Sequence, residues 1–404
     1  MNIITNKTSQ LIYGSSFAVA TLLLSSPSLA ATDAQQPCIG NSAAITGPAA
    51  FSGQAIRTGA EIAIEEINQQ GGVLGEELRL IQYDDAGAPP RAVDNTRRIA
   101  LADNCIAILG GYHSTAAVAQ VEPVHAIGIP YIGVWAANTS VVENGRDPNF
   151  MFRVSAKDKW VARFLVEEAL KVSPTGKIAF FYENTGWGNG ALPDVNAAMS
   201  EAGVALVAAE TFNWNDQDMT PQVMRARDAG AEVVIVWALD REGNQLLRSM
   251  DRVGYMPTMI GAWGISGNLG ELAGPLANGV RVMQTYSFMG QQSELGESVL
   301  ARLKADYGID DPREIRAGSG IANAYDAVHI LADAIEIAGS YDWEAVRQAL
   351  YEVNRDGLIA SYRPAFDASD PERQDALLPE HYLLTAWHDG VLIPFAGSPY
   401  DTGD

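Results

Sequence analysis

Histidine and cysteine are scarce in this chain. Five histidines (His113, His125, His329, His381 and His388) are dispersed over 404 residues, and the only cysteines are Cys38 and Cys105. Metal sites draw their ligands from clusters of such residues, so no metal is expected. No P-loop is present. The nearest approach to a dinucleotide fingerprint, Gly318-Ser319-Gly320-Ile321-Ala322-Asn323, lacks its last glycine and follows no strand. No cofactor is therefore expected. A nucleophile elbow needs G-x-S-x-G, and Gly264-Ile265-Ser266-Gly267-Asn268 misses the final glycine. His113 beside Ser114 offers a base and a hydroxyl, but adjacent side chains seldom point at the same atom, and no third group orients them. The chain is expected not to be an enzyme, an amide hydrolase being the catalytic alternative.

Basic side chains are also in deficit, with 27 Lys and Arg against 49 Asp and Glu, for a net charge of −22. This argues against nucleic acid and anionic membrane surfaces as partners. Long apolar runs are missing too. A membrane span needs roughly 20 unbroken apolar residues, and the best stretch, Phe17–Leu24, is broken or flanked by Ser15, Ser16, Thr21 and Ser25. Preceded by the lone charge Lys7 and followed by Ser28-Leu29-Ala30, it has the form of a cleavable secretory signal over residues 1–30. A soluble, exported mature chain is expected. Loss of Lys7 leaves 26 of the 27 basic side chains against 49 acidic ones, a net charge of −23.

Cys38 and Cys105 each sit at the start of a predicted strand, Cys38–Ala44 and Cys105–Leu109. Neighbouring parallel strands place their starts side by side, so a disulfide is expected in an oxidising compartment. A free buried pair is the alternative. Polar residues Ala34-Gln35-Gln36-Pro37 before Cys38 exclude a lipid-attachment cysteine.

What the chain does have is alternation. Residues 105–139 read strand, turn, helix, turn, strand, turn. Cys105–Leu109 is stopped by Gly110-Gly111, and Ser114-Thr115 open a helix with Ala117, Val121 and Val124 on one face. Gly128 and Pro130 end it, and Tyr131–Val134 leads into the loop Trp135–Thr139. Such a unit implies parallel strands, with the binding crevice outside their carboxyl ends. The loops Tyr112–Thr115 and Trp135–Thr139 fall there. Ser114 and Thr115 at a helix start offer hydroxyls and unpaired backbone N–H groups to a small anion; the alternative is that Ser114 only caps its helix.

The same alternation fills the rest. Strand Cys38–Ala44, loop Thr46–Gly53, a helix closed by Gly71-Gly72, strand Leu78–Tyr83 and a helix opened by Pro89-Pro90 complete one α/β domain. Asp84-Asp85, at a strand end, is expected to anchor a turn or crossing rather than form a metal or acid pair. A second domain of the same design follows. Its strands are expected at Lys177–Tyr182, Val204–Ala209, Glu232–Ala238 and Thr258–Gly261. Its loops are expected at Glu183–Gly190, Leu239–Arg241 and Ala262–Gly267. Helices about Glu294–Tyr307, Gly318–Ala338 and Trp343–Val353 suit a return to the first domain, and Tyr382–Trp387 with Val391–Phe395 reads as a hairpin. Trp135, Trp187, Trp263 and Asp240 all fall in loops after strands. Three tryptophans in equivalent loops fit an aromatic-lined pocket better than separate lids over a core.

The order of Thr46-Gly47-Pro48, Gly59-Ala60-Glu61, Glu65-Glu66-Ile67-Asn68, Gly71–Gly75, Tyr83-Asp84-Asp85, Gly110–Ser114, Pro130–Ala137, Trp187-Gly188 and Tyr325-Asp326-Ala327 resembles the periplasmic leucine/isoleucine/valine-binding proteins. These are the receptors of branched-chain amino-acid ABC transporters, and the resemblance covers nearly all of the mature chain. It implies a type I periplasmic-binding fold of class α/β: two doubly wound parallel-sheet lobes joined by a three-segment hinge. One lobe would take residues 37–153 with 287–358, the other 154–286 with 359–400, with crossings near Phe152–Ser155, Thr285–Met289 and Leu358–Arg363. It implies that Ser114 and Thr115 bind a ligand carboxylate, helped by backbone groups at Tyr112, Ala136 and Ala137, with Trp187 over the ligand. His113, Trp135, Trp263, Asp240 and Phe51 complete the expected lining. Three positions depart from the family. Amino-acid binders carry an acid where this chain has Trp263, a tyrosine where it has Leu239, and an aromatic residue near Ser52. A buried ammonium needs a carboxylate partner, and Asp240 can serve only with its side chain turned inward. Otherwise the pocket resembles members that hold aromatic or other small carboxylates and amides. The partners implied are a small-molecule ligand and an inner-membrane ABC permease, with the protein a periplasmic monomer; a ligand-sensing module signalling to another partner is the alternative.

Overall fold

The computed structural model describes residues 36–401, so the leader expected over residues 1–30 lies outside the described residues. Among the described residues no helix is long and apolar enough to cross a membrane. The chain opens with β1 (Cys38–Ala43), α1 (Ala50–Gln69), β2 (Arg79–Asp84), α2 (Pro89–Arg97), β3 (Ala107–Gly110), α3 (Ser114–Ile127), β4 (Tyr131–Gly133) and β5 (Met151–Arg153). These strands form one all-parallel sheet in the order β2-β1-β3-β4-β5. β1, β3, β4 and β5 are buried throughout, as parallel strands covered by helices on both faces must be. Gly128, at φ +83°, ends α3 in the left-handed conformation that glycine adopts without strain.

The second sheet is built from β6 (Ile178–Glu183), β7 (Ala208–Phe212), β8 (Val233–Trp237), β9 (Thr258–Gly261) and β10 (Arg281–Gln284). α4 (Asp158–Val172) leads into β6, and between the strands run α5 (Gly186–Glu201), α6 (Thr220–Asp228), α7 (Asp240–Val253) and α8 (Leu269–Ala273). The chain then forms α9 (Glu294–Tyr307), α10 (Gly318–Ala338) and α11 (Trp343–Ala349), a two-residue-per-strand hairpin of β11 (Arg355–Asp356) and β12 (Ser361–Tyr362), and finally β13 (Leu383–His388) and β14 (Val391–Pro394). β13 and β14 add antiparallel to β10, giving the order β14-β13-β10-β9-β8-β6-β7. This sheet is therefore mixed, its parallel part running from β10 to β7. Its central strand β8, Val-Val-Ile-Val-Trp, is wholly buried.

α10 returns to the first sheet's side and lies so close on α1 that a Cβ at Gly59 would stand 2.0 Å from the Ile321 carbonyl oxygen. Tyr325 donates from α10 to Glu66 at 2.6 Å. Residues Leu358–Arg363 fold into the β11–β12 hairpin and its exit, tied to α10 by Asp326, which accepts from Leu358 N, Ile359 N and Tyr362 Oη. The chain then runs beside β5, where Asp375 pairs with Arg153, before it enters the second sheet at β13.

Cys38 and Cys105 form a disulfide. They stand just ahead of the paired positions Ile39 and Ala107 of neighbouring parallel strands. Asp84 and Asp85 anchor the turn after β2. Asp84 accepts from Ile45 N, Ala86 N and Thr46 Oγ1, and Asp85 from Gly87 N and Ser42 Oγ.

Several expected loops begin as helices. α1 starts at Ala50, α5 at Gly186 and α7 at Asp240. Thr185 causes the early start of α5, its hydroxyl accepting from Trp187 N and Gly188 N. The strand expected at Val204–Ala209 pairs four residues later, as Ala208–Phe212, because its register is set by β6, with Ala179 opposite Ala208. The helix expected to reach Val353 ends at Ala349 and tightens into one 3₁₀ turn, Leu350–Glu352.

Candidate functional site

The carboxyl ends of β3, β4, β6, β8 and β9 deliver their following segments to one place. From the first sheet come Tyr112–Thr115 and Trp135–Ala137; from the second come Glu183, Trp187, Leu239, Asp240 and Trp263-Gly264. The two groups meet directly. Tyr112 Oη donates to Gly264 O at 3.2 Å, Asn138 Nδ2 to Gly186 O at 3.1 Å and Thr139 Oγ1 to Asp194 Oδ2 at 2.8 Å.

Two adjoining chambers lie between them. The inner one is walled by Tyr112, His113, Ser114, Thr115, Trp135, Ala137, Glu183, Trp187, Trp214, Leu239, Trp263 and Gly264 and measures about 20 Å³. That is room for a single water. The outer one measures about 440 Å³, within the range of small-molecule sites. Phe51 and Asp240 line it, and Tyr112, His113, Trp214 and Leu239 are shared by both.

The three loop tryptophans thus face one shared gap, but they also fill it. Trp135 and Trp263 stack at a slant with centroids 6.0 Å apart, and all three rings are buried. Trp135 reaches α10, where a Cβ on Gly320 would meet its ring at 2.1 Å. Of the expected lining, Ala136 alone turns away. Its side chain packs in the cluster behind the sheet with Ala117 and Tyr131, its N–H donates to Gly111 O, and its carbonyl accepts from Arg153 Nη1.

Ser114 is the first residue of α3 and does not cap it; the preceding His113 holds the cap position without a side-chain bond. The Ser114 hydroxyl accepts from Asn138 N at 3.3 Å, tying the helix start to the loop after β4. No hydrogen bond joins His113 to Ser114 among the described residues. Burial pushes His113 down to about 4, so its ring is neutral at physiological pH.

Two carboxyls in the cleft are held high by burial. Glu183 is pushed up to about 7 although it accepts from Thr185 Oγ1 at 2.5 Å and Trp214 Nε1 at 2.9 Å. Asp240 is also pushed up to about 7 although its Oδ1 accepts from Gly267 N at 3.2 Å and Leu269 N at 3.1 Å. Its side chain is turned inward. Tyr112 lies within the field of Asp240, Glu183 and Glu242 together, and burial with those charges drives its phenol well above 10.

Glu183 and Trp214 are the residues that sequence reasoning missed. Trp214 sits in a turn-rich stretch after a strand, like the other three tryptophans, but the misplaced end of β7 hid that equivalence. Glu183 ends β6 and carried no distinguishing signal.

A model of the periplasmic binding proteins matches residues 38–373. The Leu/Ile/Val-binding protein homolog 3 of Brucella melitensis is 28% identical over 360 residues, spanning 88% of this chain and 92% of that protein. A periplasmic binding protein type 1 from Bordetella pertussis superposes with a TM-score of 0.80 at 26% identity, over 89% of this chain and 100% of that one. The branched-chain amino-acid transporter substrate-binding protein LivJ of Streptococcus pneumoniae, solved with isoleucine, shares the fold with a TM-score of 0.76 at 19% identity, over 88% and 97% of the two chains. With its paired sheets, its interlobe cleft and this match along most of its length, the chain belongs to the periplasmic binding protein family, whose members are solute receptors and not enzymes.

Proposed function

We propose that this protein is the substrate-binding component of an ABC importer, exported by its leader to the periplasm, where it takes a small carboxylate-bearing ligand between its lobes. The observation that carries this is the shared ownership of the cleft: each chamber draws its walls from both sheets. The acid end of the ligand sits at Ser114 and Thr115, whose N–H groups open α3 and have no acceptor within the helix, once the lobes part and the tryptophans that fill the inner chamber give way. No lysine or arginine walls the inner chamber, so the helix start supplies the positive potential there. Ligand contacts to both lobes favour the closed form over any open one, and a permease reads that difference.

A thermal-shift screen of amino acids, aromatic acids, amides and short organic acids tests this. One carboxylate class stabilises the protein, and Ser114→Ala weakens its binding roughly tenfold or more by removing a hydrogen bond to a charged group. Unchanged affinity in that variant rules out the anion seat, and silence across the whole screen rules out the receptor role.

A further inference from the structure

One member of the partition between the chambers is held differently from the rest. Tyr112, His113, Trp214 and Leu239 wall both chambers. Tyr112 is tied to Gly264 O, and Leu239 is fixed between β8 and the start of α7. His113 stands so close to Gly87 that a Cβ there would lie 2.8 Å from its Cε1. Trp214 is 39% exposed and belongs to the segment between β7 and α6. Among the described residues, that segment bonds to its own side of the cleft. Asn213 Oδ1 accepts from Asn184 Nδ2 at 3.1 Å, Asn215 N donates to Glu242 Oε1 at 3.1 Å and Asn215 Oδ1 accepts from Arg241 Nη1 at 2.6 Å. Across the cleft the Trp214 ring meets His113 edge to face, with centroids 6.0 Å apart.

The ring is aimed from behind. Glu183, at the end of β6, stands in the wall of the inner chamber and its Oε2 accepts from Trp214 Nε1 at 2.9 Å, while Oε1 accepts from Thr185 Oγ1 at 2.5 Å. A hydrogen bond to an ionised carboxylate is short and directional, so it sets the angle of the indole as well as its place. On the far side of the partition the Trp135 Nε1–H is buried and, among the described residues, has no hydrogen-bond partner. Its exchange with solvent is therefore not delayed by a bond of its own, and waits on solvent reaching it.

Resting on the receptor role proposed above, we propose that Trp214 is the gate of the inner chamber and Glu183 the residue that positions it. With the lobes closed, Trp214 lies on His113 across the passage between the chambers, held by the Glu183 carboxylate. Whatever occupies the inner chamber, solvent in the free protein or the acid end of a ligand in the complex, exchanges with the outer chamber as this ring swings out. The swing breaks one side-chain hydrogen bond and one ring contact and leaves the backbone bond of Asn215 in place.

Solvent itself is the probe, so the test needs no ligand. Exchange of the indole N–H groups is followed by nuclear magnetic resonance on protein carrying isotopically labelled tryptophan, at pH 8, where Glu183 is largely ionised although burial raises it to about 7. Trp214→Ala speeds exchange of the Trp135 Nε1–H about tenfold or more. The Trp343 and Trp387 indoles donate to Cys105 O at 2.9 Å and Ile265 O at 3.0 Å, outside both chamber walls; they keep their wild-type rates and show that the variant is folded. Glu183→Gln puts a neutral acceptor in place of a charged one and speeds Trp135 exchange about threefold or more. It adds nothing in a protein that already carries Trp214→Phe, where no indole N–H remains to be held. A merely structural role for Glu183 would raise exchange equally with and without Trp214→Phe. Unchanged Trp135 exchange in Trp214→Ala, wild-type exchange as fast as that of an exposed indole, or an equal effect of Glu183→Gln (or none) in both settings each overturns the assignment. Each would leave the receptor role intact, since that role stands or falls on the ligand screen.

Discussion

Asp240→Asn in the absence of any ligand should make the protein respond differently to pH. Burial raises the Asp240 carboxyl from its ordinary 3.8 to about 7. A group raised on folding binds its proton more readily in the native state than in the unfolded one. Its contribution is therefore most favourable below about pH 4, declines as pH rises, and levels off above about 7. At 1.36 kcal/mol per pH unit the full decline is roughly 4 kcal/mol, of which about 2.5 kcal/mol falls between pH 5 and pH 8. Asparagine keeps the acceptor for Gly267 N and Leu269 N. It also places an unpaired N–H₂ group where Oδ2 was, a burden of about 1–3 kcal/mol that does not change with pH. The comparison across pH removes that burden. Urea unfolding followed by tryptophan fluorescence, at pH 5 and at pH 8, gives the stability of each protein. Relative to wild type, the variant should gain about 2.5 kcal/mol on moving from pH 5 to pH 8. The same difference at both pH values would show that Asp240 carries no burial penalty.

Two further outcomes concern the frame around the cleft. Replacing Cys38 and Cys105 together by serine opens a loop spanning 67 positions and should lower stability by about 4 kcal/mol, read by urea unfolding against the oxidised protein; a loss under 1 kcal/mol would refute it. Asp375 is fully buried, with Arg153 Nε at 2.5 Å and Lys157 Nζ at 2.9 Å. Asp375→Asn leaves both cations short of a counter-charge, although Glu143 remains 3.0 Å from Lys157. It should cost roughly 3–5 kcal/mol, and a change within 0.5 kcal/mol in the same assay would refute it.

The alternation of strands and helices was legible where a buried parallel strand is a short apolar run, as in Cys105–Leu109 or Val233–Ala238. The disulfide was legible because both cysteines stand at strand starts. Edges were harder to read. β7 alternates exposed and buried residues, and its ladder position is chosen by β6 rather than by its own composition, so the four-residue slip carried Trp214 out of view. Helix starts were read late at Gly186 and Asp240, where a glycine or a polar residue leads the helix straight after a strand. The consequence was functional, since Trp187 and Asp240 sit on first helical turns rather than in loops. The filling of the inner chamber was not legible at all. Whether three tryptophans line a space or occupy it depends on the separation of the sheets and on Gly320 admitting Trp135, neither of which local sequence encodes.

Closure can be tested at a residue that touches neither chamber. Thr139 lies outside both walls, yet its hydroxyl donates across the cleft to Asp194 Oδ2 at 2.8 Å. It is one of several direct hydrogen bonds joining the two sides there, each worth about 1 kcal/mol net. Burial already raises the Asp194 carboxyl, and the Thr139 bond opposes that rise. Thr139→Val keeps the shape, removes this bond together with the acceptor that the hydroxyl offers Lys159 N at 3.0 Å, and weakens the closed form by about 1–2 kcal/mol. If the ligand draws the lobes together from an open majority, its apparent affinity falls by the same free energy, about fivefold or more. Small-angle scattering should show the unliganded variant no more compact than wild type, and saturating ligand should restore the closed dimensions to both. A ligand affinity unchanged by Thr139→Val would mean that binding does not draw on lobe closure, and the cleft would then act as a rigid pocket whose occupancy a permease could not sense through shape.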